Sequence, residues 1–197
     1  MSNGKRREFN ARGRVIVLSG PSGVGKTTIH SEILKRRPDL CTSVSATSRP
    51  KRKGEVHGRE YFFLSEKEFM VWVDTGRFIE YARVHNNWYG TPKEKLIETI
   101  ENGCHVLMDV DVQGAKALME LFPDGIYFFI EPPDLKELEE RLRKRNTDRH
   151  EEIEGRLRRA ADELKYKKDY THVIENKTVN AAVEKILSIL DAEVGEG

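Results

Sequence analysis

The sequence is poor in several features that mark particular classes of protein. It has only two cysteines among 197 residues, too few for a disulfide framework or for a four-cysteine zinc site. It contains no run of 18 apolar residues, so no membrane-spanning helix is predicted. Its charges nearly cancel, at 34 Lys+Arg against 33 Asp+Glu, which disfavours a bulk nucleic-acid-binding protein.

The cysteines and the N-terminus indicate a cytoplasmic protein. Nothing in the spacing of Cys41 and Cys104 pairs them, and Cys104, at the start of an apolar run, is interpreted as a small buried hydrophobic residue. Such cysteine usage is typical of a reducing environment. The basic segment 1–14 is followed by no apolar stretch of the signal-peptide kind, so no secretory signal is predicted.

Short apolar runs alternate with helical patterns along most of the chain. Runs at 15–19, 106–110, 126–130 and 172–174 are typical of strands buried on both faces. Helical patterns cover 26–37, 134–145, 151–166 and 180–192, and Thr91-Pro92-Lys93-Glu94 resembles a capping box that opens another helix. This alternation predicts one α/β domain with a central parallel sheet flanked by helices.

One stretch, residues 42–90, breaks the alternation. It combines Thr/Ser-rich and aromatic runs, a turn region at Pro50–Gly58 and a capping box at Ser65-Glu66-Lys67-Glu68. We therefore expect a small α+β insertion here.

The segment Gly20–Thr27, GPSGVGKT, fits the phosphate-loop pattern G-x-x-x-x-G-K-[ST]. It follows an apolar strand and opens a helix, the context that the motif requires. The glycines allow backbone N–H groups to approach phosphate oxygens, and the helix N-terminus favours an anion. Lys26 is predicted to reach the β- and γ-phosphates of a nucleoside triphosphate, and Thr27 to bind Mg²⁺.

Two acids, Asp109 and Asp111, end the 106–110 run. Because they lie two residues apart on a predicted strand, they point to one side of the sheet. Ligands bind beyond the carboxyl ends of parallel strands. We assign Asp109 to Mg²⁺, held through water, beside the phosphate loop.

The phosphate loop and several further motifs together resemble the guanylate kinase family. The matching segments are Gly20–Thr28, Ser43–Glu55, Tyr61–Phe63, Phe78–Ala82, Trp88–Pro92 and Asp109–Gly114. The resemblance spans roughly residues 14–190 and implies transfer of phosphate from ATP to GMP, giving ADP and GDP, with Mg²⁺ as cofactor. It implies a P-loop core over 14–41, 92–140 and 160–192, a GMP-binding insertion over 42–91 and a helical lid over 141–159.

The resemblance also implies residues for each substrate. ATP would contact the loop residues and an asparagine near the adenine: Gly20, Pro21, Ser22, Gly23, Val24, Gly25, Lys26, Thr27, Thr28 and Asn176. The GMP phosphate, and that of its analogue dGMP, would be held by Ser45, Arg49, Arg52 and Tyr61, since paired guanidiniums suit a dianion. The base would be read by Glu80, Tyr89, Gly90, Thr91 and Asp111, because a carboxylate accepts the adjacent guanine N1–H and N2–H₂ donors that adenine lacks.

The lid arginines implied by the family are Arg141, Arg145 and Arg156. With Lys26 they would stabilise charge on the transferring phosphoryl group. The residue after Arg145 is Asn146, where the family usually has glycine, which bears on the dynamics of the lid rather than on its chemistry.

Other functions stay open at this point. One is a different kinase of the same fold, for adenylate or a ribose bisphosphate, against which Glu80, Tyr89 and Thr91 argue. Another is a non-enzymatic module that binds phosphopeptides, against which the intact loop with Lys26 argues. A nucleic-acid or membrane partner is not expected, and the oligomeric state is left undetermined.

Overall fold

The computed structural model describes residues 13–84, 86–144 and 150–195. Its strands are β1 (Val15–Ser19), β2 (Cys41–Thr42), β3 (Ala46–Thr47), β4 (Phe62–Phe63), β5 (Phe78–Val84), β6 (Asn87–Pro92), β7 (Val106–Asp109), β8 (Ile126–Glu131) and β9 (His172–Glu175). Its helices are α1 (Lys26–Arg36), α2 (Glu66–Asp74), α3 (Lys93–Glu101), α4 (Val112–Leu121), α5 (Leu135–Lys144), α6 (His150–Glu163) and α7 (Val179–Val194). A 3₁₀ segment, Leu164–Asp169, follows α6.

The core is a five-stranded parallel sheet in the order β2-β7-β1-β8-β9. Every residue of β1 is buried, and its alternate side chains feed two apolar clusters. Ile16 and Leu18 pack with residues of α1 and α7, whereas Val15 and Val17 pack with residues of α3 and α4. Burial on both faces explains the unbroken apolar runs, and the predicted α/β fold with a parallel sheet flanked by helices is confirmed.

A second sheet, in the order β4-β3-β6-β5, lies within the predicted insertion. Its long pair, β5 and β6, is antiparallel, and α2 packs on it through a stack of Phe69 with Phe78 and Trp88. The Ser65 capping box is confirmed, because the Ser65 hydroxyl accepts from the Glu68 N–H while the Glu68 carboxylate accepts from the Ser65 N–H. The precise division of the chain into core, insertion and lid stays a prediction.

Three local expectations were wrong. Thr91 is not a helix cap: it lies in β6, α3 begins after Pro92, and its hydroxyl is engaged by Glu80 instead. Asp111 lies beyond β7, where it caps α4, a helix that the sequence reading did not predict. The helix expected over 151–166 ends at Glu163, since the tighter 3₁₀ turn brings Leu164 and Tyr170 onto the sheet.

The cysteines also depart from expectation. Cys41 and Cys104 form a disulfide with a Cα–Cα distance of 6.0 Å, although 63 residues separate them in sequence. Because β2 pairs with β7 in parallel, Cys41 at the start of β2 lies beside the residues that precede β7. The sequence spacing carries no sign of this pairing, which depends on strand order. The disulfide closes a loop that contains the entire second sheet.

We expect this disulfide to be a large contributor to stability. Closing a loop of this length lowers the entropy of the unfolded chain by the equivalent of about 4 kcal/mol at most, and native disulfides commonly contribute 2–4 kcal/mol. Reduction should therefore lower the denaturant midpoint of the wild-type protein, and the Cys41→Ala/Cys104→Ala double variant should unfold at the reduced midpoint whether or not reductant is present. Two free thiols in the denatured, unreduced protein would contradict the pairing.

Candidate active site

The phosphate loop joins β1 to α1, and three of its glycines, Gly20, Gly23 and Gly25, have positive φ values that disfavour a side chain. Gly20 has φ 133°, and a Cβ there would lie 2.2 Å from the Ile130 carbonyl oxygen. Gly25, with φ 101°, caps α1, and a Cβ there would lie 2.8 Å from Asn176 Nδ2. The loop is thereby held against β8 and the end of β9, with the N-terminus of α1 at its centre. A helix N-terminus in such a loop is an anion-binding site.

A cavity of about 370 Å³ opens above the loop. Its lining combines the loop and the start of α1 with residues at the ends of β7 and α6, three of which are acids. The lining residues are Gly20, Ser22, Gly23, Gly25, Lys26, Thr27, Thr28, Asp109, Val110, Asp111 and Glu163. Lys26 Nζ donates to the carbonyl oxygens of Gly20 at 2.7 Å and Pro21 at 3.1 Å, so its ammonium lies over the loop. All the predicted ATP-loop residues except Pro21 and the buried Val24 thus share one cavity with both predicted acids.

The predicted magnesium ligands are adjacent. Thr27 Oγ1 donates to Asp109 Oδ2 at 2.9 Å, which joins the start of α1 to the end of β7. A hydroxyl and a carboxylate suit Mg²⁺, which usually binds one or two protein oxygens together with water and substrate phosphates. Among the described residues no group of three or more His, Cys, Asp or Glu side chains forms a metal cage. The donor set therefore fits a metal ion that arrives with a nucleotide.

Asn176 and Arg141 both donate hydrogen bonds to the Val24 carbonyl of the phosphate loop. The buried Asn176 amide donates to the Val24 carbonyl at 2.7 Å. Arg141 donates to the Asn176 carbonyl at 2.8 Å and to that of Val24 at 3.4 Å, and pairs with Glu137 on its own helix. The structure thus gives both residues a bracing role, while an adenine contact for Asn176 and a phosphoryl contact for Arg141 stay predictions.

Of the three predicted lid arginines, Arg141 and Arg156 lie on described helices, and Arg145 does not. Arg156 lies on α6, which packs on α5 through Leu138, Leu142, Ile153 and Ala160. Arg145 and the neighbouring Asn146 lie outside the described residues. Leu142 comes so close to the loop that a Cβ on Gly23 would lie 2.6 Å from its Cδ2. The phosphate loop is therefore in direct contact with α5, whose C-terminal part belongs to the predicted lid.

Three of the four residues predicted for the GMP phosphate, Ser45, Arg49 and Tyr61, lie together near the β3–β4 pair, and Arg52 is joined to them through its backbone N–H on Glu55. The Arg49 guanidinium lies 5.6 Å from the Tyr61 ring centroid, and Tyr61 meets Tyr89 edge to face at 5.9 Å. Ser45 precedes β3, and its carbonyl accepts from the Phe62 N–H at 2.9 Å, so it lies beside Tyr61.

Glu55 is a residue of this cluster that the sequence analysis missed. Its carboxylate accepts two hydrogen bonds from the Arg49 guanidinium, at 2.7 and 3.1 Å, and one from the Arg52 N–H at 2.6 Å. The Arg49 contact, followed by the Arg52 N–H, holds the pKa of Glu55 below its usual value. The sequence did contain a signal for this role of Glu55. It is an acid three residues after Arg52 in a predicted turn, and an acidic side chain at such a position can accept from a nearby backbone N–H.

Four of the five predicted base readers lie on the β5–β6 pair, and the fifth, Asp111, follows β7 and lies near Glu80. Thr91 Oγ1, on β6, donates to Glu80 Oε1, on β5, at 2.5 Å. Burial, with a smaller contribution from nearby Asp111, raises the pKa of Glu80 above its usual value. Gly90 has a packing reason to lack a side chain, because a Cβ there would lie 2.9 Å from the Phe78 ring. A half-buried carboxylate, oriented by a hydroxyl, is suited to accept paired N–H donors.

Comparison with known proteins agrees with this geometry. The model of the family described as guanylate kinase matches residues 12–193. The chain belongs to the guanylate kinase family. The guanylate kinase of Caldanaerobacter subterraneus subsp. tengcongensis is 45% identical over 182 residues, covering 92% of this chain and 88% of that one. The guanylate kinase of Gloeobacter violaceus is 48% identical over 181 residues, with the same coverage.

A solved structure extends the family likeness to the fold. The crystal structure of guanylate kinase from Anaplasma phagocytophilum matches with a TM-score of 0.71 at 33% identity. The match covers 94% of this chain and 88% of that one. The described residues include no helix that is both long and apolar enough to cross a bilayer.

Proposed function

We propose that the protein transfers the γ-phosphoryl group of ATP to GMP, giving ADP and GDP. The observation that carries the proposal is the coexistence of an intact phosphate loop with the Glu80–Thr91 pair on the second sheet. The loop accounts for the donor and the carboxylate for the acceptor. A purely binding module would need no lysine and magnesium ligands in this arrangement.

Acceptor choice depends on Glu80. Guanine presents N1–H and N2–H₂ side by side, and an ionised carboxylate accepts from both. Adenine presents an acceptor at N1 and no amino group at C2, so it would leave the half-buried carboxylate with no donor besides Thr91. Unpaired buried polar groups are the strongest basis for rejecting a close analogue. Thr91 holds the carboxylate in position through its hydroxyl.

The GMP phosphate is already anionic, so no side chain has to act as general base. Its oxygen attacks the γ-phosphorus in line, and catalysis consists of positioning and charge stabilisation. Arg49, oriented by Glu55, together with Arg52 and Tyr61 would hold the attacking phosphate. Lys26 and the lid arginines Arg141, Arg145 and Arg156 would stabilise negative charge on the transferring group.

Thr27 and Asp109 would hold Mg²⁺ that accompanies ATP. When bound, the ion neutralises charge on the β- and γ-phosphate oxygens. The Thr27–Asp109 contact links α1 to β7 and so brings the two proposed ligands side by side. We assign the activity to the cytoplasm; intracellular disulfides occur, chiefly in hyperthermophiles, so the Cys41–Cys104 bond does not exclude it.

Measuring ADP formation from ATP and Mg²⁺ with a panel of acceptors tests the proposed function. GMP and dGMP should support turnover, because the proposed base and phosphate contacts do not involve the 2′-hydroxyl. AMP, UMP, CMP and ribose 1,5-bisphosphate should remain at the level without acceptor. Equal turnover with AMP, or none with GMP from folded protein that binds it, would reject the function.

A further inference from the structure

Glu163 is an acid in the phosphate cavity that belongs neither to the phosphate loop nor to the proposed magnesium ligands. It is the last residue of α6 and it lines the cavity together with the loop. Ser22, the third residue of the phosphate loop, lines the same cavity, and its backbone N–H lies near enough to favour the ionised form of the Glu163 carboxylate. Lys26 and Arg159 lie close enough to stabilise its charge. A carboxylate repels the phosphates that this cavity is proposed to bind, so its position there calls for a specific role.

The surroundings of Glu163 balance opposing effects. Burial raises the pKa of its carboxyl group most, and nearby Asp111 adds to the rise. Lys26, the Ser22 N–H and Arg159 oppose it. Tyr170 lies in the same neighbourhood, on the sheet beneath. The nearby cations and the Ser22 N–H therefore offset part of the cost of burying the Glu163 carboxylate.

The position of Glu163 on α6 links it to the lid. Arg156 lies seven residues earlier, about two helical turns, so both residues are on one face of the helix and about 10 Å apart along its axis. Arg159 lies between them on the same face. A contact between Glu163 and the Ser22 N–H would consequently fix the rotation and the axial position of α6 relative to the loop.

We propose that Glu163 is a positioning residue that sets the register of α6 on the phosphate loop and thereby the point at which Arg156 meets the transferring phosphoryl group. The proposal rests on the proposed phosphoryl transfer and adds a residue to it. Glu163 touches the loop backbone rather than the substrate. Its effect on catalysis passes through Arg156.

The conservative and the truncating substitution separate this role from simple packing. Glu163→Gln keeps an oxygen that can accept from the Ser22 N–H, whereas Glu163→Ala removes it. We expect Glu163→Ala to lower kcat roughly 10- to 100-fold, in line with the rate sensitivity to misplacement of charged groups, with little change in KM for GMP. Glu163→Gln should recover most of that loss. Glu154→Ala, on the opposite exposed face of α6, is the matched control and should be near wild type.

A double-mutant cycle tests whether the effect passes through Arg156. If Glu163 acts by placing Arg156, adding Glu163→Ala to Arg156→Ala should cost little further kcat. Full additivity of the two losses would overturn the proposal. So would a kcat for Glu163→Ala equal to that of wild type.

A readout independent of turnover concerns the contact itself. Hydrogen exchange at the Ser22 amide, followed by NMR, should be protected in wild type and Glu163→Gln and faster in Glu163→Ala. Unchanged exchange in Glu163→Ala would overturn the proposed register. If the wild-type protein fails to phosphorylate GMP, the proposed function and the expected effects on kcat are both rejected. The Ser22 exchange measurement needs no turnover, so it still tests the contact between Glu163 and the loop, and the two failures can be told apart.

Discussion

Replacing Lys26 by methionine should lower kcat for GMP phosphorylation roughly 10²–10³-fold, the usual cost of removing one preorganised charge from a transition state. Methionine keeps much of the unbranched stem and loses the ammonium. The Lys26 Nζ contacts with the Gly20 and Pro21 carbonyls show that the side chain already lies over the loop where phosphate oxygens are expected. The lost interaction would be stronger with the transferring group than with bound ATP, so kcat should fall more than ATP affinity.

The matched control is Lys35→Met. Lys35 lies on the same helix, more than two turns away, with an exposed side chain paired to Glu32. It should leave both kcat and KM unchanged. Thermal unfolding of the Lys26 variant checks that the loop still folds. Wild-type turnover by folded Lys26→Met would show that the ammonium has no part in catalysis.

Replacing Glu80 by glutamine should raise KM for GMP roughly 10²-fold while ATP affinity stays near wild type. The amide would present an NH₂ donor where guanine also presents donors, and charge-assisted hydrogen bonds of this kind contribute about 1.5–3 kcal/mol. Direct binding of each nucleotide, measured separately by calorimetry, checks the asymmetry. An equal loss at both substrates would reject the reading of guanine by Glu80.

The same variant yields a pH test with a definite sign. Burial raises the pKa of Glu80 in the free protein, and only the ionised form can accept both guanine donors. GMP affinity of the wild type should therefore fall on acidification, beginning at a higher pH than for an ordinary glutamate. The GMP phosphate also titrates, but equally with both proteins, so the wild-type to Glu80→Gln ratio of affinities isolates Glu80. A ratio independent of pH would contradict the role.

Glu94→Gln is the control for the charge change itself. Glu94 lies in the first turn of α3, and its side chain is 80% exposed in a weak pair with Arg77. Exposed pairs contribute little, because water and salt screen them. This variant should bind GMP as the wild type does, across the same pH range.

Local motifs were sufficient for a large part of the site. The phosphate loop could be assigned because its chemistry depends on residues adjacent in sequence: the glycines, Lys26 and Thr27 follow one strand and open one helix. The Ser65 capping box was readable for the same reason. Four of the five core strands, β1, β7, β8 and β9, followed from short apolar runs, since a strand covered on both faces is apolar along its whole length.

Residues whose role depends on a distant partner were misread. Thr91 matched a helix cap in sequence, but pairing of β5 with β6 brings it to Glu80, and its hydroxyl donates there. A helix cap can be predicted from four adjacent residues. The pairing of β5 with β6 cannot be predicted in this way, because it depends on residues that are farther apart in the chain. Glu55 was overlooked because its value lies in orienting Arg49 rather than in touching a substrate.

By itself, the sequence determined the α/β class and the phosphate loop, because these follow from short-range patterns. Only the tertiary structure decided that Thr27 meets Asp109, that Glu163 reaches the loop from the end of α6, and that Cys41 and Cys104 join. Each of these contacts crosses between elements far apart in the chain. The order of the strands sets such distances, and that order is an outcome of packing the whole core.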